Sequence, residues 1–333
     1  MSTPASQNED VRAVLDAIVG RVAPGLGIAG VAQGSSLFAT TARLSEIEVR
    51  VTDGTTIHLI QKQGGRAGRL STAAGATPRF LYDPMREISV YERLLARQKL
   101  DTPVLYASHV EPRRGRYWLF LERVPGTQLR WAVDPAAWQR TGAWLAHAHA
   151  SLEGHAEGNA SWLLVHDAAY YRRWLRRARA LTESGDHARR TRLAWLAHHY
   201  EEVVERLVSL PRTVIHGEFY PSNILVDESK AGGRISVVDW EMAALGPAVI
   251  DLAALMGGRL TPPEHDAILE SYRKAMPAHA SGLAETARAE TLACAKLHFA
   301  IQWLGWARGW SPPAEQTHDW LAEAVELGEA MGW

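Results

Sequence analysis

The amino-acid sequence predicts an α+β fold, in which a small antiparallel sheet near the amino terminus precedes a larger, mostly helical part. Short runs rich in β-branched and aromatic residues, separated by turn residues, occupy residues 28–122. Apolar residues recur at helical spacing through most of the chain after Pro125-Gly126. A further pair of short apolar runs within residues 212–251 predicts a hairpin among these helices. The Pro-Gly break is therefore a natural boundary between the two parts.

The amino-terminal part is predicted to begin with a helix and to continue as a sheet. Apolar residues from Val11 to Val19 follow helical spacing, and Gly20 ends that segment. Asp53-Gly54 is a strong hairpin-turn signal between two of the strands. The predicted strands are residues 28–31, 44–51, 56–60, 103–109 and 116–122.

The carboxyl-terminal part is predicted to consist of long helices. Asp134 followed by Pro135 supplies a capping acceptor and a first-turn proline. Residues 284–310 are apolar on nearly all sides, so we expect a buried helix there. Five arginines between residues 172 and 179 are interpreted as the solvent-facing side of a helix, with phosphate or nucleic-acid binding as the alternative. The predicted helices cover residues 134–152, 168–182, 188–209, a segment from 262 onwards, and 284–310.

Composition excludes several classes of protein. The 333 residues are 47% hydrophobic, which is enough for a sizeable core. A formal net charge of −1 gives no overall electrostatic reason to bind nucleic acid or a membrane surface. The single cysteine, Cys294, cannot form an internal disulfide and fits a reducing compartment, where we expect it to be a small buried residue. Because we find neither a secretory signal nor an apolar run of membrane-spanning length, we expect a cytoplasmic protein.

The most informative stretch is residues 212–251, in which polar groups stand at the ends of two short apolar runs. The first run ends in His216-Gly217-Glu218, and Asn223 follows shortly after. The second run ends in Asp239, and the predicted hairpin brings Asn223 close to it. An amide oxygen beside a carboxylate suits Mg²⁺, a hard cation that keeps its remaining sites for water and phosphate oxygens. The stretch therefore predicts a site for a metal and a nucleotide.

These residues carry a resemblance to a known family. HGEFYPSN followed by VVDWE is similar to the HGDxxxxN and (I/V)D(W/F)E motifs of the aminoglycoside phosphotransferase and choline kinase superfamily. Glu218 stands where that family has Asp. The resemblance implies a bilobed protein-kinase-like fold and Mg²⁺-dependent transfer of phosphate from ATP to a hydroxyl of a small molecule, such as an antibiotic, an amino alcohol or a sugar.

The same resemblance implies roles for residues around the catalytic loop. Asn223 and Asp239 would ligate Mg²⁺, and Glu218 would orient or deprotonate the acceptor hydroxyl. His216 and Asp251, the latter in GPAVIDLA, would support the loop.

The resemblance also implies roles in residues 1–123, which would form the nucleotide-binding lobe, with residues 124–333 as the helical lobe. Lys62, directly after the third predicted strand, would reach the α- and β-phosphates and pair with Glu87, although Glu92 is a competing partner. The other implied nucleotide contacts are Ser35 and Ser36 at the phosphates and backbone groups of Glu122 and Val124 at the adenine. Separately, residues 63–79 contain four glycines and few apolar residues, which predicts a mobile segment able to close over the nucleotide.

The acceptor site is predicted to contain both acidic and aromatic groups. Glu241 follows the metal ligand, and Trp303 and Trp306 lie on the last long apolar segment. Such a pocket suits an amine or an apolar ring that carries a hydroxyl. Because Glu replaces Asp at position 218, a catalytically silent binding protein on the same fold is the alternative function. An enzyme that inactivates antibiotics and a metabolic kinase would differ only in the acceptor.

Overall fold

The structure is a computed structural model that describes residues 4–36, 42–65, 68, 78–155, 161–182, 186–230, 232–258, 260–306 and 318–333. The chain divides into two compact units. The first comprises Met1–Ala74, Asp83–Arg97 and Thr102–Pro125. The second comprises Gly75–Tyr82, Gln98–Asp101 and Gly126–Trp333. None of the described helices is long and apolar enough to cross a bilayer.

The first unit contains a five-stranded antiparallel sheet. Its order is β1-β2-β3-β5-β4, and helix α1, Pro4–Val22, packs on one face. Leu15 and Ile18 of α1 share a buried core with Ile47, Val49 and Leu59 of the sheet. Alternation along these strands places every second side chain on the α1 face. The strands are β1 Ile28–Ser35, β2 Arg43–Val51, β3 Thr56–Gly64, β4 Leu105–Glu111 and β5 Arg116–Glu122.

All five predicted strands are present, but two are longer than the sequence pattern indicated. Strand β1 continues to Ser35, and β3 continues to Gly64. Ser35 is therefore a strand residue rather than a loop residue, and Lys62 lies inside β3 rather than after it. Most of the segment 63–79, which we expected to be mobile, lies outside the described residues.

The helix expected near Glu87 is present in a distorted form. Helix α2, Arg86–Ser89, passes into a π-helical turn at Val90–Leu94 and a 3₁₀ turn at Leu95–Arg97. A π turn rotates the residues that follow it relative to a regular α-helix. Glu87 and Glu92, five positions apart, lie on different sides of this segment and meet different partners.

The second unit is mostly helical. The helix that was predicted to start at Asp134 begins at Pro135, and the Asp134 side chain accepts a hydrogen bond from the Ala136 backbone N–H at 2.9 Å. The helices are α3 Pro135–Leu152, α4 Ala168–Thr182, α5 His187–Val208, α6 Val249–Leu255, α7 Pro262–Ala275, α8 Ser281–Glu285, α9 Ala289–Leu304 and α10 Trp320–Ala330.

Two three-stranded sheets support the helices of the second unit. The predicted hairpin consists of β9 and β10, which pair antiparallel from Ile224↔Val237 to Asp227↔Arg234. A short strand, β6, extends this sheet on the β9 side. In the other sheet β11 lies between β7 and β8. The bounds are β6 Thr127–Gln128, β7 Leu164–Val165, β8 Arg212–Ile215, β9 Ile224–Asp227, β10 Arg234–Val237 and β11 Ala244–Pro247.

The single helix predicted for residues 284–310 is instead two helices, α8 and α9, separated by a turn. Thr286 donates its hydroxyl to the Leu283 carbonyl at 2.7 Å, and the Thr291 hydroxyl accepts the Arg288 backbone N–H at 3.3 Å. These threonines satisfy backbone groups that a continuous helix would have paired. Trp306 consequently lies beyond the end of α9, and Trp310 lies outside the described residues.

Candidate functional site

The loop after β8 is held by a buried carboxylate. Asp251 on α6 is 1% exposed. Its Oδ2 accepts the backbone N–H of His216 at 2.7 Å, and its Oδ1 accepts that of Gly217 at 2.9 Å. Burial raises the pKa of Asp251, but the hydrogen bond to His149 and the neighbouring His216 outweigh burial, so the net shift is downward. The carboxylate therefore stays ionised and fixes the start of the loop.

Sequence reasoning did not identify the side chains that support Asp251. His149 of α3 lies with its Nε2 3.2 Å from Asp251 Oδ2 and its Nδ1 3.0 Å from the Tyr272 hydroxyl of α7. An ionised Asp251 can only accept, so His149 Nε2 donates to it. His149 is 1% exposed and lies on the apolar side of its helix. A histidine inside an apolar stripe is a signal for such a buried partner.

Gly217 is required by the geometry of this loop. Its φ is +83°, in the left-handed region, and a Cβ at this position would lie 2.3 Å from the Met242 carbonyl oxygen. Any side chain would therefore push the loop away from the segment that follows Asp239.

The His216 ring connects the loop to the end of the strand that precedes Asp239. Its Nε2 lies 2.9 Å from the Val238 carbonyl, which can only accept, so Nε2 carries the proton. Its Nδ1 then accepts the backbone N–H of Glu218 at 3.3 Å. One neutral imidazole thus fixes both Glu218 and the residue that precedes Asp239.

Three residues with oxygen-bearing side chains, Asn223, Asp239 and Glu241, lie at the same end of the β9–β10 hairpin. The Asn223 Nδ2 donates to the Glu218 carbonyl at 2.9 Å, so the amide oxygen of Asn223 is the atom suited to a cation. The Val238 backbone N–H donates to the Asn223 carbonyl at 2.9 Å, which brings Asn223 to the start of the Asp239 turn. Carboxylate oxygens of Asp239 and Glu241 lie within 4.8 Å of each other.

Asp239 has an unusual backbone. Its φ of 68° is the only positive φ of a non-glycine residue within the described part of the chain. Such a conformation costs of order 1–3 kcal/mol and is typical of functional positions. Together with half-buried Glu241, this partly exposed set of hard oxygen donors fits Mg²⁺.

Glu218 is half-buried and has Tyr220 close by. Burial, and next the charge of Glu218, raise the pKa of Tyr220 well above its usual value, so the phenol stays neutral. The Tyr220 ring lies 6.2 Å from the Trp303 ring and 6.1 Å from the Phe299 ring, measured between centroids. The loop after β8 therefore reaches helix α9 through Tyr220.

The first unit contains the predicted pair of Lys62 and Glu87. Lys62 Nζ lies 2.6 Å from Glu87 Oε2, and both side chains are about nine-tenths buried. Glu92, the competing partner, instead accepts a hydrogen bond from the Ser108 hydroxyl at 2.5 Å. The predicted choice of Glu87 is confirmed, while its role at a nucleotide stays a prediction.

The other residues expected at the nucleotide have partners within the first unit. The Ser36 hydroxyl donates to Glu46 at 3.2 Å, and Glu46 also pairs with Arg123 at 3.0 Å. Ser35 is exposed at the end of β1. The Glu122 backbone N–H donates to the Val104 carbonyl at 2.8 Å, and Val124 is half-buried, so the adenine contacts of these two residues stay predictions.

The two tryptophans predicted for the acceptor site lie in different surroundings. Half-buried Trp303 stacks on Trp320 of α10, with centroids 5.6 Å apart and planes 13° apart. Trp306 stacks on Trp174 of α4, with centroids 5.6 Å apart and planes 5° apart. The rings of Trp303 and Trp306 are 5.7 Å apart. Sequence reasoning missed Trp320, Tyr220 and Trp174, because contacts between distant helices leave no local pattern.

Known proteins resemble this chain in sequence family and in fold. A model of the phosphotransferase enzyme family matches residues 77–285. No curated protein sequence matches. Aminoglycoside 2'-phosphotransferase-IIIa in its GDP complex is 14% identical, with 97% of this chain and 99% of that one covered and a TM-score of 0.54.

Two further solved structures share the fold. The choline kinase of Streptococcus pneumoniae is 14% identical, with 97% of this chain and 99% of that one covered and a TM-score of 0.56. The ethanolamine kinase of Plasmodium vivax is 12% identical, with 91% and 82% covered and a TM-score of 0.56. At these identities the likeness concerns the fold, and it confirms the predicted α+β, protein-kinase-like class.

Proposed function

Because this chain belongs to the phosphotransferase enzyme family, whose model matches residues 77–285, we propose that it transfers the γ-phosphoryl group of ATP to a small-molecule hydroxyl. The observation that carries this proposal is the oxygen-donor set of Asn223, Asp239 and Glu241 beside a loop that presents Glu218. Neighbours of the same fold include a GDP complex and an AMP complex, which supports a nucleotide as the donor. We propose a cytoplasmic location, where ATP is available.

The roles follow from the chemistry of each side chain. Asn223 and Asp239 hold Mg²⁺, which neutralises charge on the phosphates when bound. We now group Glu241 with this metal set, since its carboxylate lies within 4.8 Å of that of Asp239. Lys62, held by Glu87 at 2.6 Å, binds phosphate oxygens in the nucleotide lobe formed by residues 1–123.

Glu218 acts on the acceptor. Its half-buried carboxylate accepts a hydrogen bond from the incoming hydroxyl and takes its proton as the phosphorus–oxygen bond forms. His216 and Asp251 position the loop and do not touch the reacting atoms. Trp303, next to Tyr220, forms the aromatic side of the acceptor pocket, with Trp306 behind it.

The nucleotide contacts in residues 1–123 are part of the same proposal. Backbone groups of Glu122 and Val124 meet the adenine edge, and Ser35 lies near the phosphates. Ser36 joins them only after its hydroxyl leaves Glu46, to which it donates at 3.2 Å. Nucleotide binding is therefore expected to rearrange the end of β1.

The test is a search for acceptor-dependent phosphorylation. We would incubate the protein with ATP, Mg²⁺ and a panel of aminoglycosides, amino alcohols, sugars and hydroxylated aromatic compounds, and detect phosphorylated products by mass spectrometry. Asp239→Asn should lower turnover of the best acceptor by at least about 10²-fold, because a metal ligand loses its charge. Asp266→Asn, at an exposed aspartate of α7, is the matched control and should keep wild-type turnover. Equal rates in Asp239→Asn and Asp266→Asn would refute the metal assignment.

The alternative is a binding protein without catalysis, which the Glu at position 218 favours. Nucleotide binding does not separate the two functions. Acceptor-dependent formation of ADP does, because a silent protein would form none with any member of the panel.

A further inference from the structure

A pocket of about 390 Å³ lies between three helices of the second unit. It is formed by the start of α5, the end of α9 and the start of α10. Its volume is in the lower part of the range of small-ligand sites, about 300–1,000 Å³. Its lining residues are Arg189, Trp303, Leu304, His318, Asp319 and Trp320.

This pocket adjoins the acceptor side of the catalytic loop. Trp303 forms one of its walls, and the Trp303 ring lies 6.2 Å from that of Tyr220. Tyr220 in turn belongs to the loop of Glu218, since its backbone N–H donates to the Glu218 carbonyl at 2.7 Å. A molecule whose hydroxyl is at Glu218 can therefore extend along Tyr220 and Trp303 into the pocket.

The acidic groups in and near the pocket already have hydrogen-bond or ion-pair partners. Asp319 caps α10, since its Oδ1 accepts the backbone N–H groups of Leu321 at 3.2 Å and Ala322 at 3.1 Å. His318 lies with its Nε2 2.5 Å from a carboxylate oxygen of Glu323. The charge of the Asp319 carboxylate is therefore partly offset by these two backbone N–H groups, and Glu323, which pairs with His318, does not line the pocket.

The cationic side chain that lines the pocket, Arg189, is open to a ligand. Arg189 is exposed, and within the described residues its guanidinium meets no carboxylate. Arginines are frequent on the neighbouring helices as well, five in residues 168–182 and three in residues 187–200, although Arg172 is paired with Glu201. The positive charge that lines the pocket itself is that of Arg189, and it favours an anion over a cation.

We infer that this pocket binds the end of the acceptor remote from the reacting hydroxyl, and that this end is a planar ring carrying a carboxylate or a similar anion. The faces of Trp303 and Trp320 suit a planar ring, and the guanidinium of Arg189 pairs with an anion. An indole face also attracts cations, but here the charge of Arg189 opposes them. This assignment rests on the proposed function, because it identifies the pocket as part of the acceptor site.

The test uses three probes with one ring and one hydroxyl: 4-(2-hydroxyethyl)benzoate, the corresponding benzylamine, and the uncharged 4-methyl compound. Binding to the full-length protein is measured by calorimetry without nucleotide. The benzoate should bind about tenfold more tightly than the other two, which is the effect of one charge-assisted hydrogen-bonded pair. Arg189→Glu should abolish that preference. Arg192→Glu, at an exposed arginine of the same helix that does not line the pocket, should leave it unchanged.

Several results would overturn the inference. These are equal affinities, tighter binding of the amine, no binding of any probe, or an unchanged preference in Arg189→Glu whose melting temperature matches the wild type. Phosphorylation is scored separately with ATP and Mg²⁺. If the benzoate binds through Arg189 and no phosphorylated product forms with any acceptor, the proposed function fails and the pocket assignment for a ring-bearing anion stands.

Discussion

At the scale of single residues, hydrogen bonds fix both the backbone N–H and the backbone carbonyl of Glu218. Its N–H donates to His216 Nδ1 at 3.3 Å, and its carbonyl accepts Asn223 Nδ2 at 2.9 Å. The acidities of Glu and Asp side chains are nearly equal, with pKa values of about 4.3 and 3.9. The extra methylene of Glu218 therefore matters because it places the carboxylate farther from the backbone. The two hydrogen bonds keep the loop from moving to compensate for a shorter side chain.

Two substitutions at this position separate charge from length. Glu218→Gln should lower kcat by about 10²-fold or more, because the group that accepts the hydroxyl proton is lost, while the Kd for ATP changes little. Glu218→Asp should lower kcat by about tenfold to 10²-fold, because its carboxylate falls short of the hydroxyl. Steady-state kinetics and nucleotide titration measure both effects.

The matched control is Glu205→Gln, at an exposed glutamate of α5, which should retain wild-type kcat. If Glu218→Gln behaves like this control, position 218 is not the proton acceptor. If Glu218→Asp exceeds the wild type, the pocket is not built around the longer side chain.

At the scale of elements, helices α3, α6 and α7 and strand β8 converge on one hydrogen-bonded network. Tyr272 donates its hydroxyl to His149, His149 donates to Asp251, and Asp251 accepts two backbone N–H groups of the loop after β8. Thr213 of β8 adds a hydrogen bond to the His149 carbonyl at 2.8 Å. The stability of these elements is therefore linked to the position of Glu218.

His149→Leu should lower the free energy of unfolding by about 2–3 kcal/mol, because it keeps the volume of the side chain but removes a partner of a buried carboxylate. Tyr272→Phe should cost about 1 kcal/mol, the value of one neutral hydrogen bond. Urea denaturation measures both.

Tyr272 acts on Asp251 through His149, so the double variant should cost less than the sum of the single changes. Additive costs would show that Tyr272 and His149 contribute independently. Ser271→Ala, one residue from Tyr272 and bonded only within its own helix to the Ala267 carbonyl, is the control for α7 and should have little effect.

The sequence predicted elements with a strong local pattern and missed those that depend on distant partners. The β9–β10 hairpin could be predicted from two short apolar runs on either side of a turn, and the pairing of Lys62 with Glu87 from the family resemblance. Strands β7 and β11 were missed, because they are short and β11 contains Gly246 and Pro247. The end of the helix at Glu285 was missed, because the apolar pattern continues across the threonines that interrupt it.

The candidate site also contains residues that a local pattern places and residues that depend on distant partners. Asn223 and Asp239 could be placed together from the hairpin alone, because the turn between the two strands is short. His149 could not be assigned to Asp251, which lies 102 positions further along the chain. The bond from Ser36 to Glu46 depends on the register of β1 against β2, which no local pattern encodes.

At the scale of the whole molecule, burial of neutral histidines makes stability depend on pH. His166 is 2% exposed and stacks on Tyr170, with ring centroids 4.0 Å apart. Burial lowers the pKa of His166 from 6.5 to about 3, although Asp251 and Asp167 act in the opposite direction. Burial, and next His166, lower the pKa of His298 well below its usual value. The unfolded chain therefore binds more protons than the folded protein below about pH 6.5.

His166→Gln tests this linkage. Stability rises with pH wherever the unfolded state binds the extra proton, so the wild type should lose about 1.4 kcal/mol per pH unit for each such histidine between about pH 6 and pH 4. The variant should show a slope that is smaller by about that amount, although its stability at pH 7 is lower because the ring stack is lost. His147→Gln, at an exposed histidine of α3, should keep the wild-type slope. Urea denaturation at several pH values gives these slopes, and identical slopes in the wild type and His166→Gln would mean that His166 takes up its proton in the folded protein.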